Sequence, residues 1–406
     1  MNNNKGTLFP GLRILDLTRV LAGPSCTRMF AELGAEVIKV ESAPNGDMVR
    51  QFSKLRNERS LYFVQQNLGK KSLCVDLRDP RGMSLVKALV GRVDVVVENF
   101  KPGTMEQMGL SYEVLKTLKK DIVLCSISAM GQTGPLAAKP GYDTIAQGHS
   151  GVTSVIGEPD RAPSIPRIAA GDVSGGVHGA FAILAALYNR DRTGVGQHID
   201  IGLLDTYYHF HEINIHQYSG SHGAMKPTRG GRHLGYVCPS GVYNTNGGYI
   251  ILMAFAHHWK DLCAAMGRPE LVKDERYSTD AARLAILDEV VDLIETWLAT
   301  FPDRDAAIAK LEQHQVPVAP VLTVEETISH PHLRARGTVR TINDRIAGEF
   351  DIPGNPVKFS AYRQDGALQA PTLGEHNEDV LADVLGMNAE EIGALREAGV
   401  LYEKYV

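Results

Sequence analysis

The sequence predicts an α/β protein, with a Rossmann-like large domain built on a parallel sheet and a smaller α/β domain. Short strands rich in Val, Ile and Leu alternate with helical segments through the first half of the chain. Those strands are apolar along their length, as strands covered on both faces are. A length of 406 residues supports a large core and more than one domain.

Residues 12–17 read as the first strand. Pro24 opens a helix that Gly34 ends, the positions those two residues favour. Strands follow at 36–40 and 73–77. Asp79 and Pro80 supply an N-cap and a first helical residue, and that helix runs to about Val90. Residues 93–97 and 122–126 complete the apolar strands. An apolar helix covers 180–188, after a Gly-rich turn that carries Asp172. Residues 203–218 read as one long helix. The Gly-rich stretch 228–235 carries Arg229, Arg232 and His233. Beyond it a smaller unit shows a strand at 249–253 and helices at 257–266, 287–299 and 303–313. Short strands lie within 348–359, and 388–398 is a tail helix.

Composition narrows the function classes. The formal charge of −5 is mild and the basic residues are scattered, so neither nucleic acid nor a membrane surface is an expected partner. No apolar run approaches the roughly 18 residues of a membrane span. The opening residues 1–6 lack the apolar core of a signal peptide. Cys26, Cys74, Cys125, Cys238 and Cys263 form no Cys-x-x-Cys pair and read as reduced core thiols of a cytoplasmic protein. His209, Glu212 and His216 would share a helix face, yet they lack the spacing of a zinc-protease motif, and no metal is expected. No phosphate-binding Gly-x-x-x-x-Gly-Lys run is present.

The densest chemical signal is Asp172, within Gly171-Asp-Val-Ser-Gly-Gly176. Its local sequence fits two roles equally, a cap on the following helix or a carboxylate presented to a ligand. Further blocks surround it. They are 11–24 (Gly-Leu-Arg-Ile-Leu-Asp-Leu-Thr-Arg-Val-Leu-Ala-Gly-Pro), 33–41 (Leu-Gly-Ala-Glu-Val-Ile-Lys-Val-Glu), Gly46-Asp47 with Arg50, 97–100 (Val-Glu-Asn-Phe), 131–135 (Gly-Gln-Thr-Gly-Pro), Gly141-Tyr-Asp143 and 373–376 (Leu-Gly-Glu-His). In these blocks, spread over nearly the whole length, the chain resembles the class III CoA-transferases. Relatives in that family include carnitine CoA-transferase, formyl-CoA transferase and α-methylacyl-CoA racemase.

The resemblance implies a ring-shaped protomer in an interlocked homodimer. It implies a large CoA-binding domain at 1–205 and 335–406, a linker helix at 206–224, a small domain at 225–325 and a return linker at 326–334. It implies an acyl-CoA donor and a carboxylic acid acceptor as substrates, with coenzyme A passing between them and no permanently bound cofactor. By position it makes Asp172 the catalytic carboxylate, with Tyr142 and Asp143 beside it. Leu21, Ala22, Ser42, Val75, Asn99 and Phe100 match CoA-binding positions. Ser42 and Gln107 stand where relatives carry arginines, which leaves the phosphate contacts open; Lys70, Lys71, Lys101 and Lys139 are substitutes, Lys139 foremost. Arg229 and Arg232 suit a second carboxylate and so a dicarboxylic substrate of the succinyl-CoA type.

An acyl-CoA racemase is the alternative within this family. Its members carry a histidine where this chain has Tyr142, and proton abstraction beside a thioester needs a base near neutral pKa. Tyrosine titrates near 10 and is a poor one. A nicotinamide-dependent oxidoreductase fits only the strand–helix alternation, because the first strand is not followed by Gly-x-Gly-x-x-Gly. A non-catalytic CoA-binding relative would have no use for Asp172.

Overall fold

The computed structural model describes residues 7–52, 54–362 and 367–405. Residues 1–6, read above for a signal peptide, lie outside the described residues. The chain divides into two compact units. The first comprises 1–152, 166–212 and 332–406, the second 153–165 and 213–331. Residues 153–165 group with the second unit because its Arg229 Nε donates to the Glu158 carbonyl at 3.0 Å and Gly231 N–H to the Gly157 carbonyl at 3.1 Å.

In the first unit the elements are β1 (Arg13–Asp16), α1 (Ala22–Glu32), β2 (Glu36–Ser42), α2 (Leu61–Asn67), β3 (Lys71–Val75), α3 (Pro80–Val90), β4 (Val95–Glu98), α4 (Tyr112–Leu118), β5 (Val123–Ser128), α5 (Asp143–Ser150), α6 (Ala170–Thr193), β6 (His198–Gly202) and α7 (Leu203–Tyr208). The six strands form one parallel sheet in the order β3-β2-β1-β4-β5-β6. The order reverses between β1 and β4, and the carboxyl ends of such a pair open a crevice where ligands bind. One sheet face is apolar, with Leu15, Ile38, Leu73, Val96 and Leu124 packed beneath Val86 and Leu89 of α3 and Leu115 of α4. The opposite face meets α1 and α6, which pack along each other.

β6 went unpredicted. Its His-Ile-Asp-Ile-Gly pattern alternates, as expected of a half-exposed edge strand. The predicted helix over 203–218 is interrupted. α7 stops at Tyr208, where His211 Nε2 meets the Ser150 carbonyl at 3.0 Å, and a separate helix, α8, spans Asn214–Gly220. His209, Glu212 and His216 therefore share no helix face.

The largest correction concerns α6. Its 24 residues begin at Ala170, so the glycines around Asp172 lie inside a helix rather than on a turn before one. They serve packing: a Cβ on Gly176 would come 2.1 Å from Ser25 Oγ of α1, and one on Gly175 2.6 Å from Leu203. α6 also overturns the expectation of no membrane-length apolar run, being long and apolar enough to cross one. Its glycine-lined face packs on α1, as a core helix does.

The second unit contains α8, then β7 (Ser240–Thr245) and β8 (Gly248–Met253), which pair antiparallel. α9 (Trp259–Ala265), α10 (Leu287–Leu298), α11 (Arg304–Gln313) and β9 (Val318–Pro320) follow, with β9 pairing antiparallel to β8. Leu262, Ile294 and Leu311 meet Ile250 and Leu252 in its core. The chain then returns to the first unit. There β10 (Val339–Asp344) and β11 (Gly348–Pro353) form a hairpin, and α12 (Asn377–Leu385) and α13 (Ala389–Glu397) finish the apolar cover of the sheet.

Candidate active site

A pocket of about 330 Å³ opens at the carboxyl ends of the central strands, within the first unit. The turn after β1 contributes Arg19 to Ala22, the turn after β4 Asn99 to Pro102, and the segment after β5 Lys139 to Asp143. Asp172 comes to it from the first turn of α6.

The floor under the turn after β1 is charged. Asp16, Lys39 and Glu41 point to the face opposite the apolar core, because side chains alternate along a strand. Lys70 reaches Asp16 at 2.9 Å, Lys39 reaches Asp47 at 3.0 Å and Arg50 reaches Glu41 at 2.7 Å, all buried. Burial alone would raise the Asp16 pKa, but Lys70 and Lys39 hold it far below the usual carboxylate range. Burial also lowers Lys70, to about 8. Lys39 Nζ donates to the Thr18 carbonyl at 2.7 Å, and Asp47 accepts from Val20 N–H at 3.3 Å. The network thus fixes the backbone that enters the pocket.

Asp172 is set differently. Its backbone N–H donates to Asp143 Oδ1 at 2.9 Å, and Asp143 Oδ2 accepts from the Tyr207 hydroxyl at 2.7 Å. Gly171 makes room for this: a Cβ there would come 2.2 Å from the Tyr207 ring. Burial, and then the neighbouring Asp143, push the Asp172 pKa up to about 7. The helix N-terminus beneath it favours the ionised form. Tyr62 of α2 feels the same charge; burial, with Asp172 and Asp47, takes its phenol up to about 12. Asp172 does not cap α6, since Ala169 occupies that position.

The pocket gathers Leu21, Ala22, Asn99, Phe100, Lys139, Tyr142, Asp143 and Asp172. Ser42 and Val75 are not among its lining residues. Val75 is fully buried in the apolar core, and Ser42 ends β2, its carbonyl bonded to Gly46 N–H at 2.9 Å. Lys70 and Lys71 are likewise absent from the lining, Lys70 pairing with Asp16 and Lys71 with Glu36 at 2.7 Å. Arg229 and Arg232 belong to the second unit and are committed there. Arg229 binds the Glu158 and Pro159 carbonyls, and Arg232 meets Glu295 at 2.7 Å. One pocket residue, Arg19, and one residue behind the pocket, Tyr207, went unread in the sequence as parts of a site. Arg19 is a cation in the turn after the first strand, a signal that was available; Tyr207 gives no signal, because only folding brings it under Asp172.

The sequence matches the family described as CoA-transferase family III over residues 9–377. It is 35% identical to the succinyl-CoA–D-citramalate CoA-transferase of Chloroflexus aurantiacus, covering 96% of this chain and 97% of that one. It is 34% identical to the formyl-CoA:oxalate CoA-transferase of Streptomyces coelicolor, covering 96% and 98%. A CAIB/BAIF family protein from Brucella suis is similar in structure, with a TM-score of 0.82 at 34% identity over 92% of this chain and 98% of the other.

Proposed function

The chain belongs to CoA-transferase family III, and from that premise we propose that Asp172 is the nucleophile through which it moves CoA from an acyl-CoA thioester to a carboxylic acid. The observation that carries this reading is a half-buried carboxylate in the pocket, held by its own backbone N–H to Asp143 and made more basic by its surroundings. A carboxylate oxygen of Asp172 attacks the thioester carbonyl, and CoA leaves as a thiolate. The thiolate attacks the aspartyl carbonyl of the mixed anhydride and releases the donor acid as its carboxylate. The acceptor carboxylate attacks the resulting aspartyl-CoA thioester, and the same two exchanges in reverse deliver the new acyl-CoA. Each step exchanges activated acyl bonds of similar energy, so several low barriers replace one high one.

Tyr142 lines the pocket and supplies a contact beside the thioester. Leu21, Ala22, Asn99, Phe100 and Lys139 hold the CoA portion. Dicarboxylic substrates are favoured by the acceptors in the relatives' names, citramalate and oxalate. Succinyl-CoA is the donor to try first. The ring-shaped protomer and interlocked homodimer draw support from α6, whose Val173, Val177, Phe181, Leu184 and Tyr188 leave an apolar stripe exposed. Buried, unpaired cysteines suit a cytoplasmic location.

The test is trapping. Protein incubated with succinyl-CoA and no acceptor should gain the mass of CoA on the peptide bearing Asp172. Asp172→Ala should gain none and should lose transfer by roughly a thousandfold or more. Full transfer by that variant would remove the nucleophile.

A further inference from the structure

Neither Ser42 nor Gln107 carries a charge, and Lys70 and Lys71 are tied to carboxylates. The phosphates of CoA must therefore meet other cations. Three line the pocket, Arg19, Lys101 and Lys139. All are exposed, and none has a carboxylate partner among the described residues.

Arg19 stands apart from the two lysines in how it is held. Its N–H donates to Asn99 Oδ1 at 2.9 Å, and its carbonyl accepts from Asn99 Nδ2 at 2.7 Å. Its guanidinium carbon lies 5.5 Å from the centroid of the Phe100 ring. The next residue, Val20, has a φ of 71°. A β-branched residue in the left-handed region is an outlier that persists only where surrounding bonds over-determine it. Here the Asp47–Lys39 pair supplies those bonds at Val20 N–H and the Thr18 carbonyl. The backbone is fixed on both sides of a side chain whose own charge is unmatched by protein.

Resting on the CoA-transferase reading, we propose that Arg19 is the principal phosphate-binding residue for the nucleotide end of CoA, with Phe100 beside it and Lys101 and Lys139 as flanking charges. Exposure decides which anion Arg19 meets. The thioester must reach half-buried Asp172, whereas Arg19 is an exposed cation on the turn after β1 and suits the solvated, charged end of a long substrate. A planar guanidinium also offers phosphate paired donors that lysine lacks.

The experiment measures binding by calorimetry for CoA and pantetheine, and transfer with succinyl-CoA, acetyl-CoA and S-succinyl-pantetheine. Arg19→Ala keeps both backbone bonds to Asn99, so the turn should persist, and its thermal transition is read alongside. The variant should weaken CoA by about 10- to 100-fold, the value of a charge-assisted contact. Pantetheine binding should not change. Arg19→Lys should recover part of the loss, and the salt dependence of CoA binding should flatten in Arg19→Ala. Equal weakening of CoA and pantetheine would make Arg19 a structural residue. A loss confined to succinyl thioesters, present in S-succinyl-pantetheine and absent in acetyl-CoA, would assign it to the distal carboxylate. Either result overturns the proposal. Failure of the wild type to bind CoA at all would instead overturn the CoA-transferase reading.

Discussion

Asp16 and Asp172 are carboxylates removed from water in the same unit, and their surroundings drive them in opposite directions. Asp16 is fully buried but has Lys70 at 2.9 Å, the Thr27 hydroxyl at 2.6 Å and Thr18 N–H at 2.9 Å, and it stays ionised. Asp172 is less buried, yet the charge next to it is Asp143, and its pKa rises to about 7. Desolvation is common to both; the partner decides the outcome. Asp16 is arranged to hold the turn after β1, and Asp172 to remain under-stabilised and ready to form a bond.

The sharpest way to break this contrast is to neutralise each in turn and follow stability against pH. Asp16→Asn leaves Lys70 as a buried cation without its counter-charge and should cost about 3–5 kcal/mol. The folded pKa of Asp16 lies below its unfolded value, so its contribution is present across the mild pH range and is lost only as pH falls through that low folded value. Asp172 has the opposite sign. Its folded pKa is raised, so its contribution is full below the unfolded pKa and is lost as pH rises through about 7. Asp172→Asn should therefore match the wild type near about pH 4 and melt higher than it above about pH 8. Thermal melts at the two ends of this window check the sign for Asp172, while the deficit of Asp16→Asn should persist at both ends. An Asp172→Asn protein less stable than wild type above neutral pH would mean that the ionised carboxylate has a stabilising partner.

How far these two regions were legible in the sequence differs for a physical reason. The strands β4 and β5 announce themselves as short apolar runs, whereas β1 and β2 place Leu15 and Ile38 toward the apolar core and Asp16, Lys39 and Glu41 on the other face. Asp172 and Tyr142 were legible through motif blocks. The start of α6 was not, because Gly171 to Gly176 reads as a turn on propensity, where each helical glycine costs about 1 kcal/mol relative to alanine. Close packing on Ser25 and Leu203 overrides that penalty, and packing is invisible in one dimension. Ser42 and Val75 show the converse. Their positions match a binding segment, yet the side chain of Val75 faces the core and Ser42 lies outside the pocket lining. Arg229 and Arg232 suggested a second carboxylate site only while their internal partners, the Glu158 and Pro159 carbonyls and Glu295, were unknown.

A finer test asks whether Asp143 acts on Asp172 by charge or by position. Asp143→Asn keeps an oxygen to accept the Asp172 N–H and removes the like charge. The acid limb of kcat/KM, centred near 7 if Asp172 must be ionised, should then move to lower pH. An unmoved limb with a lower plateau would make position the dominant contribution.

Tyr207→Phe is expected to have the smallest effect of the series. It leaves the charge of Asp143 in place and removes only the hydroxyl that fixes its second oxygen. The freed carboxylate keeps its bond to the Asp172 N–H but gains freedom to rotate about it. Transfer should fall by about tenfold or less, the value of one hydrogen bond, through kcat rather than KM because no substrate contact is lost. The acid limb should stay where it is, unlike that of Asp143→Asn. A shift of the limb in Tyr207→Phe would show that the hydroxyl tunes the charge of Asp143 as well as its orientation, and that the Asp172 site answers to the same kind of hydrogen-bonded control as Asp16.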